Sequence, residues 1–227
     1  MIRVWVLLLF CLLLAYYYEK SLAVVDATSN VRGETRTSVV LFYILLITLV
    51  LFAGLRTRMN DTGNYVASYH QISSGWKTLF DVDWTIGSKP FFGVYRRLLK
   101  TLFGSNPQIF IFVSSLIVVC SYLLFIRRYT VHLEWSVFTL IAFCIYGFSM
   151  GAMKQSLSIA IGIWAIPCFI DKKYVKAIVL LALASLFHPY VLLLGSLCLF
   201  KQDVWKRKTL LAILATLVVV FLFAFFC

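Results

Sequence analysis

The sequence predicts an all-α protein, a polytopic transmembrane bundle of about eight hydrophobic helical segments. Three observations predict it. Of 227 residues, 62% are hydrophobic and 13% charged, with a mean hydropathy of +0.94, far from the composition of a water-soluble domain. Apolar runs long enough to cross ~30 Å of hydrocarbon as helix recur along the chain. The basic residues between them fall in short clusters, as topology signals do. These runs use up the length, so residues 1–227 form a single membrane domain by this reading.

The first run, residues 2–18, has Arg3 near its start and lacks a small-x-small cleavage site, so it reads as a retained first helix. The second covers 38–55. Residues 56–106 form a long amphipathic segment holding most of the polar residues, and within it 89–103 alternates Phe91, Phe92, Tyr95 and Leu99 with Arg96, Arg97 and Lys100. That stretch has the pattern of an interfacial helix. The third span is 107–126, closed by Arg127 and Arg128. Residues 135–170 would make roughly 54 Å of helix, too long for one crossing, so a break is expected near Ser149, Met150 and Gly151. Residues 174–200 are interrupted by His188 and Pro189, where the helix ladder loses a hydrogen bond. Residues 209–227 make the last span.

Orientation follows from the loops. Arg127 and Arg128, then Lys172, Lys173 and Lys176, then Lys201 with Lys206, Arg207 and Lys208, are all cytoplasmic only if 174–200 enters and leaves on one side. It reads as a short hairpin with His188 and Pro189 at its tip. The segment 56–106 then faces outward. Its basic residues oppose the usual trend, and either long segments simply obey the rule poorly or an anionic partner binds there.

The net charge of +12 does not point to nucleic acid, because the cations lie in short clusters and not along one face. The six cysteines lie in apolar runs without CxxC or Cys/His spacing and read as packing residues, so no metal site is expected. Asp81 and Asp83 match a DxD pattern, which is short enough to recur by chance and lacks a surrounding nucleotide-binding unit.

The expected topology gathers polar residues on the outer face. Arg56 and Arg58 at a helix end either fork onto phosphate oxygens or snorkel to the interface. Lys154, Gln155 and Ser158 share one stripe of a helix that Gly162 extends as a small residue, permitting close approach of another helix. Lys154 either meets an anion there or reaches for lipid headgroups. His188 lies within an apolar stretch, either as a catalytic base or as a satisfied structural residue.

Three stretches, in order, resemble the EpsG-like branch of the Wzy-type polysaccharide polymerases. They are LRTRMNDTGNYVASY from Leu55 to Tyr69, MKQSLSIA from Met153 to Ala160, and ASLFHP from Ala184 to Pro189. Lys154 stands where the family usually has arginine, and Lys89 precedes Pro90 where an acidic residue is common. The chain also stops in its last apolar run where relatives continue, which reads as a truncated or shortened member.

The resemblance implies polymerisation of lipid-linked oligosaccharide repeat units in exopolysaccharide or O-antigen assembly at the bacterial cytoplasmic membrane. The donor would be a polyprenyl-pyrophosphate-linked glycan, with membrane lipid and other polysaccharide assembly proteins as further partners and no cofactor. Arg56, Arg58 and Lys154 would neutralise the pyrophosphate, with Gln155 and Tyr65 also touching substrate. His188 would be the base and Asp61 would orient it or the sugar. A transporter or assembly component for such intermediates, or a ligase, would use the same cations.

Overall fold

The computed structural model describes residues 2–26, 31–59, 61–85 and 88–201, with 211, 214 and 218 beyond them. They belong to two compact units, Met1–Asn60 with Ile111–Gly151 and Asp61–Phe110 with Ala152–Cys227.

In the first unit, α1 (Ile2–Lys20) and α2 (Arg36–Gly54) are uninterrupted apolar helices. Short strands β1 (Ala23–Asp26) and β2 (Val31–Gly33) join them as an antiparallel pair, Ala23 opposite Gly33 and Val24 opposite Arg32. The start of α2 is fixed by a reciprocal cap. Thr35 Oγ1 accepts from the Ser38 amide at 3.1 Å, and Ser38 Oγ accepts from the Thr35 amide at 2.9 Å. Helix α5 (Pro107–Tyr129) opens on proline, whose missing N–H costs nothing at that position. Helices α6 (Leu133–Ala142) and α7 (Ile145–Gly151) follow, bent by 50° at Cys144, whose φ is 60°. Phe42, Leu45, Leu49, Leu123 and Val137 are fully buried in the shared core. A Cβ on Gly54 would lie 2.6 Å from the Phe112 ring, so the close approach of α2 to α5 requires glycine there.

Polar ties gather the helix ends of this unit into two groups. At one, Arg127 forks onto Glu34 at 2.6 and 2.5 Å, Tyr18 donates to Glu34 at 3.0 Å, and Glu19 accepts from the first amide of α6. The guanidinium bonded to Glu34 holds that carboxyl below the usual glutamate range. At the other, Arg56 donates to the carbonyls of Ala53 and Met150 and to Ser115 Oγ.

The second unit contains α3 (Thr62–Gln71), a 3-10 turn (Trp76–Thr78), α4 (Pro90–Phe103), α8 (Met153–Gly162), α9 (Ala165–Ile170), α10 (Tyr174–Ser185) and a 3-10 stretch (Pro189–Lys201). Lys89, left-handed at φ 56°, turns the chain into α4, and Gly104 at φ 82° closes it. The buried Lys100 ammonium donates to the carbonyls of Tyr69, His70 and Ile72 at 3.0, 2.9 and 2.8 Å. A cation there neutralises the negative end of α3 and satisfies its orphan carbonyls. Tyr69 stacks on Phe110 at 5.2 Å, and Phe92 and Tyr95 pack on the same ring at 6.0 Å.

After α10 the chain reverses at His188. Leu181 and Gly195, each seven positions from it, face one another, with a Cβ on Gly195 only 3.5 Å from Leu181 Cδ1. Ala177, Leu181, Ala184 and Val191 form its buried core with Ala165. The turn at His188 falls within 174–200, and the arm that follows it is a 3-10 helix. The break expected near Gly151 falls between α7 and α8, and the bend at Cys144 was not foreseen. The count of about eight segments is not confirmed. Among the described residues four helices are long and apolar enough to cross a membrane, or five if α6 and α7 form one bent span, against about eight expected. Hydropathy sees an apolar run but not its rise per turn or its bends, and α10 is a short apolar helix of 12 residues. Most of the run at 209–227 lies outside the described residues.

Candidate functional site

The second unit assembles its polar side chains around the start of α8 and the turn after α10. Ser158 on α8 holds that turn, its hydroxyl lying 2.6 Å from the Ala184 carbonyl and 3.0 Å from that of His188. Helix α4 holds it from another side. The Phe91 amide donates to the Leu186 carbonyl at 3.2 Å, and Phe187 packs edge-on against Phe91 and Tyr95 at 6.0 and 6.2 Å. His188 is half-buried against Tyr190, and its Nδ1 is buried without a hydrogen-bond partner among the described residues. Burial, then the charges of Lys89 and Lys154, push its pKa below the ordinary imidazole value. A neutral imidazole with a free nitrogen accepts a proton at neutral pH.

Lys154 sits in the first turn of α8, its ammonium 5.4 Å from the centre of the Phe92 ring. The Arg96 guanidinium lies 4.9 Å from the same ring and donates to Ser68 at 3.0 Å, while its buried Nε has no partner among the described residues. Burial, then the charge of Arg97, pulls the Arg96 pKa down, the mark of a cation short of counter-charge. Tyr65 packs edge-on against Phe92 at 6.0 Å, and its hydroxyl stands beside the backbone amides of Met153 and Lys154. Burial raises the Tyr65 pKa, so the hydroxyl keeps its proton.

A cavity of about 180 Å³ opens among these groups, lined by Lys89, Phe92, Arg96, Arg97 and Lys154 together with Asp83. Arg97 is committed to Ser73, the Thr78 carbonyl and Asp81. Asp83 accepts from the amide and hydroxyl of Thr85, both at 2.9 Å. The two carboxylates of the DxD pattern thus have local partners.

The residues singled out from sequence divide as follows. Lys154, Gln155, Tyr65, Asp61 and His188 belong to the second unit, and Arg56 and Arg58 to the first. Arg56 is buried at 8% exposure and bonds within its own unit, while Arg58 is exposed. Asp61 is exposed at the start of α3, with its Oδ1 3.5 Å from the Asn64 amide, and has no contact with His188 among the described residues. Gln155 is half-buried beside Lys154. Sequence reasoning missed Lys89, Phe92 and Arg96. A signal was there for Phe92 and Arg96, four positions apart on one face of α4.

The fold and site define a class, an integral membrane protein of apolar helices that clusters cations about one cavity. Within that class, residues 39–227 match the model of the EpsG family, and the chain belongs to that family. Membership agrees with the motifs around Arg56, Lys154 and His188 and points to a polysaccharide polymerase role. No curated protein and no solved structure matches the chain.

Proposed function

We propose that this protein polymerises lipid-linked oligosaccharide repeat units at the outer face of a bacterial cytoplasmic membrane, in exopolysaccharide or O-antigen assembly. The observation that carries the reading is the pairing of Lys154 with His188. Helix α8 supplies the cation in its first turn and, one turn on, the Ser158 hydroxyl that holds the histidine's turn.

In the proposed reaction a sugar hydroxyl of a new lipid-linked unit attacks the anomeric carbon of the growing chain. His188 accepts the hydroxyl proton, the glycosidic C–O bond forms, and the bond from the anomeric carbon to the pyrophosphate oxygen breaks. The polyprenyl pyrophosphate leaves with that electron pair, its developing charge met by Lys154. Tyr65 and Gln155 border the sugar, and Asp61 orients it or the histidine. The energy is already held in the lipid-pyrophosphate linkage, so the reaction draws on no cofactor.

Lipid-linked glycans from cells lacking the protein provide the test. Accumulated single repeat units support a polymerase. Normal chain lengths overturn it, and full-length glycan stranded on its lipid would indicate a ligase.

A further inference from the structure

We propose that Lys89 and Arg96, with Lys154, form an oxyanion pocket that holds the diphosphate of a lipid-linked substrate, a refinement that rests on the polymerase reading above. The three cations line one cavity of about 180 Å³, and among the described residues none of them has a carboxylate within 4 Å. Of the two other charged groups in its wall, Arg97 is already bonded to Ser73 and Thr78, and Asp83 is turned onto Thr85. Three positive charges so gathered repel one another, and burial weakens the water that would screen them. An anion with several oxygens removes that cost, and a diphosphate brings more charge than the single negative charge of a phosphodiester headgroup.

The pocket is also preorganised. The Phe92 ring takes two of the cations, with Arg96 at 4.9 Å and Lys154 at 5.4 Å from its centre, so cation–π attraction fixes both without neutralising either. Ser68 steadies Arg96 at one terminal nitrogen, and the buried Nε of Arg96 has no partner among the described residues. Lys89 owes its place to the left-handed turn that opens α4. Two of the pocket's cations, Lys89 and Lys154, also reach the His188 imidazole electrostatically.

The test uses the full chain in a phosphate-free maltoside micelle, titrated with inorganic pyrophosphate and separately with phosphatidylglycerol, read by calorimetry and by the shift in unfolding temperature. Pyrophosphate is expected to bind more tightly than phosphatidylglycerol. Arg96→Gln and Lys89→Asn are each expected to weaken it by roughly tenfold or more, and added salt to weaken it further. Asparagine tolerates the left-handed backbone, so Lys89→Asn leaves the turn intact. Pyrophosphate binding unchanged in both variants overturns the proposal, as does preferential binding of phosphatidylglycerol that the same variants abolish, which would mark a lipid-headgroup site. The two readings fail separately. Normal glycan chains in cells lacking the protein, with pyrophosphate binding lost in the variants, remove the polymerase and leave an anion pocket. Accumulated single units with binding unchanged in the variants remove the pocket and leave the polymerase.

Discussion

Ser158 holds His188 from 30 positions away, its hydroxyl 3.0 Å from the histidine's own carbonyl and 2.6 Å from that of Ala184. The tie joins α8, which carries Lys154, to the turn that carries the proposed base. Replacing Ser158 by alanine leaves both carbonyls without that donor and is expected to cost about 1 kcal/mol of stability. Activity is expected to fall further than stability explains, because the imidazole loses its fixed position. Unfolding of the detergent-solubilised variant and glycan length in cells measure the two effects. Wild-type glycan length in a correctly inserted Ser158→Ala protein would show that the turn needs no such tie.

The lowered pKa of His188 sets the pH dependence. The unfolded chain titrates near the ordinary value of 6.5, and the folded chain below it. In the window between them the unfolded state binds the extra proton, so stability declines as pH falls through it. A base is active when neutral, so the acidic limb of the rate profile is expected below about 6.5. Replacing Lys89 by asparagine removes one of the charges that depress it and is expected to move that limb upward. A limb that stays put in Lys89→Asn would mean that the charge of Lys89 does not reach the imidazole during turnover.

Lys100 tests the architecture apart from the chemistry. Lys100→Met keeps the length of the side chain but abandons three carbonyls at the end of α3, which is expected to cost about 3 kcal/mol. Thermal unfolding in detergent reads the loss directly. An unfolding temperature equal to that of the wild type would mean that water replaces the ammonium without penalty.

Sidedness is predicted from the loop charges. In a cysteine-free background, Val131→Cys and Lys172→Cys are expected to resist an impermeant reagent in intact cells, and Asn64→Cys to react. Labelling of Lys172→Cys would reverse the orientation and with it the outward-facing site.

Much of this molecule is legible without coordinates, and the reasons are local. The apolar runs of α1, α2 and α5 are long, lack interior glycine or proline, and so declare themselves as helices. The His188-Pro189 pair announces a reversal because proline cannot continue the ladder. Gly162 reads as a point of close approach, and a side chain there would run into Val191. The stripe of Lys154 and Ser158 follows from helical period alone.

What the tertiary structure alone decided is which cations lack a carboxylate among the described residues. By sequence, Arg56, Arg97 and Lys100 are as eligible to hold a substrate as Arg96. Folding commits Arg56 to Ser115 and the Met150 carbonyl, Arg97 to Ser73 and Thr78, and Lys100 to the end of α3. It leaves Lys89, Arg96 and Lys154 about one cavity, without carboxylates of their own among the described residues. Periodicity fixes which face of its own helix a residue occupies. Whether a charge on that face is satisfied depends on atoms brought from tens of positions away, and only the packed chain supplies them.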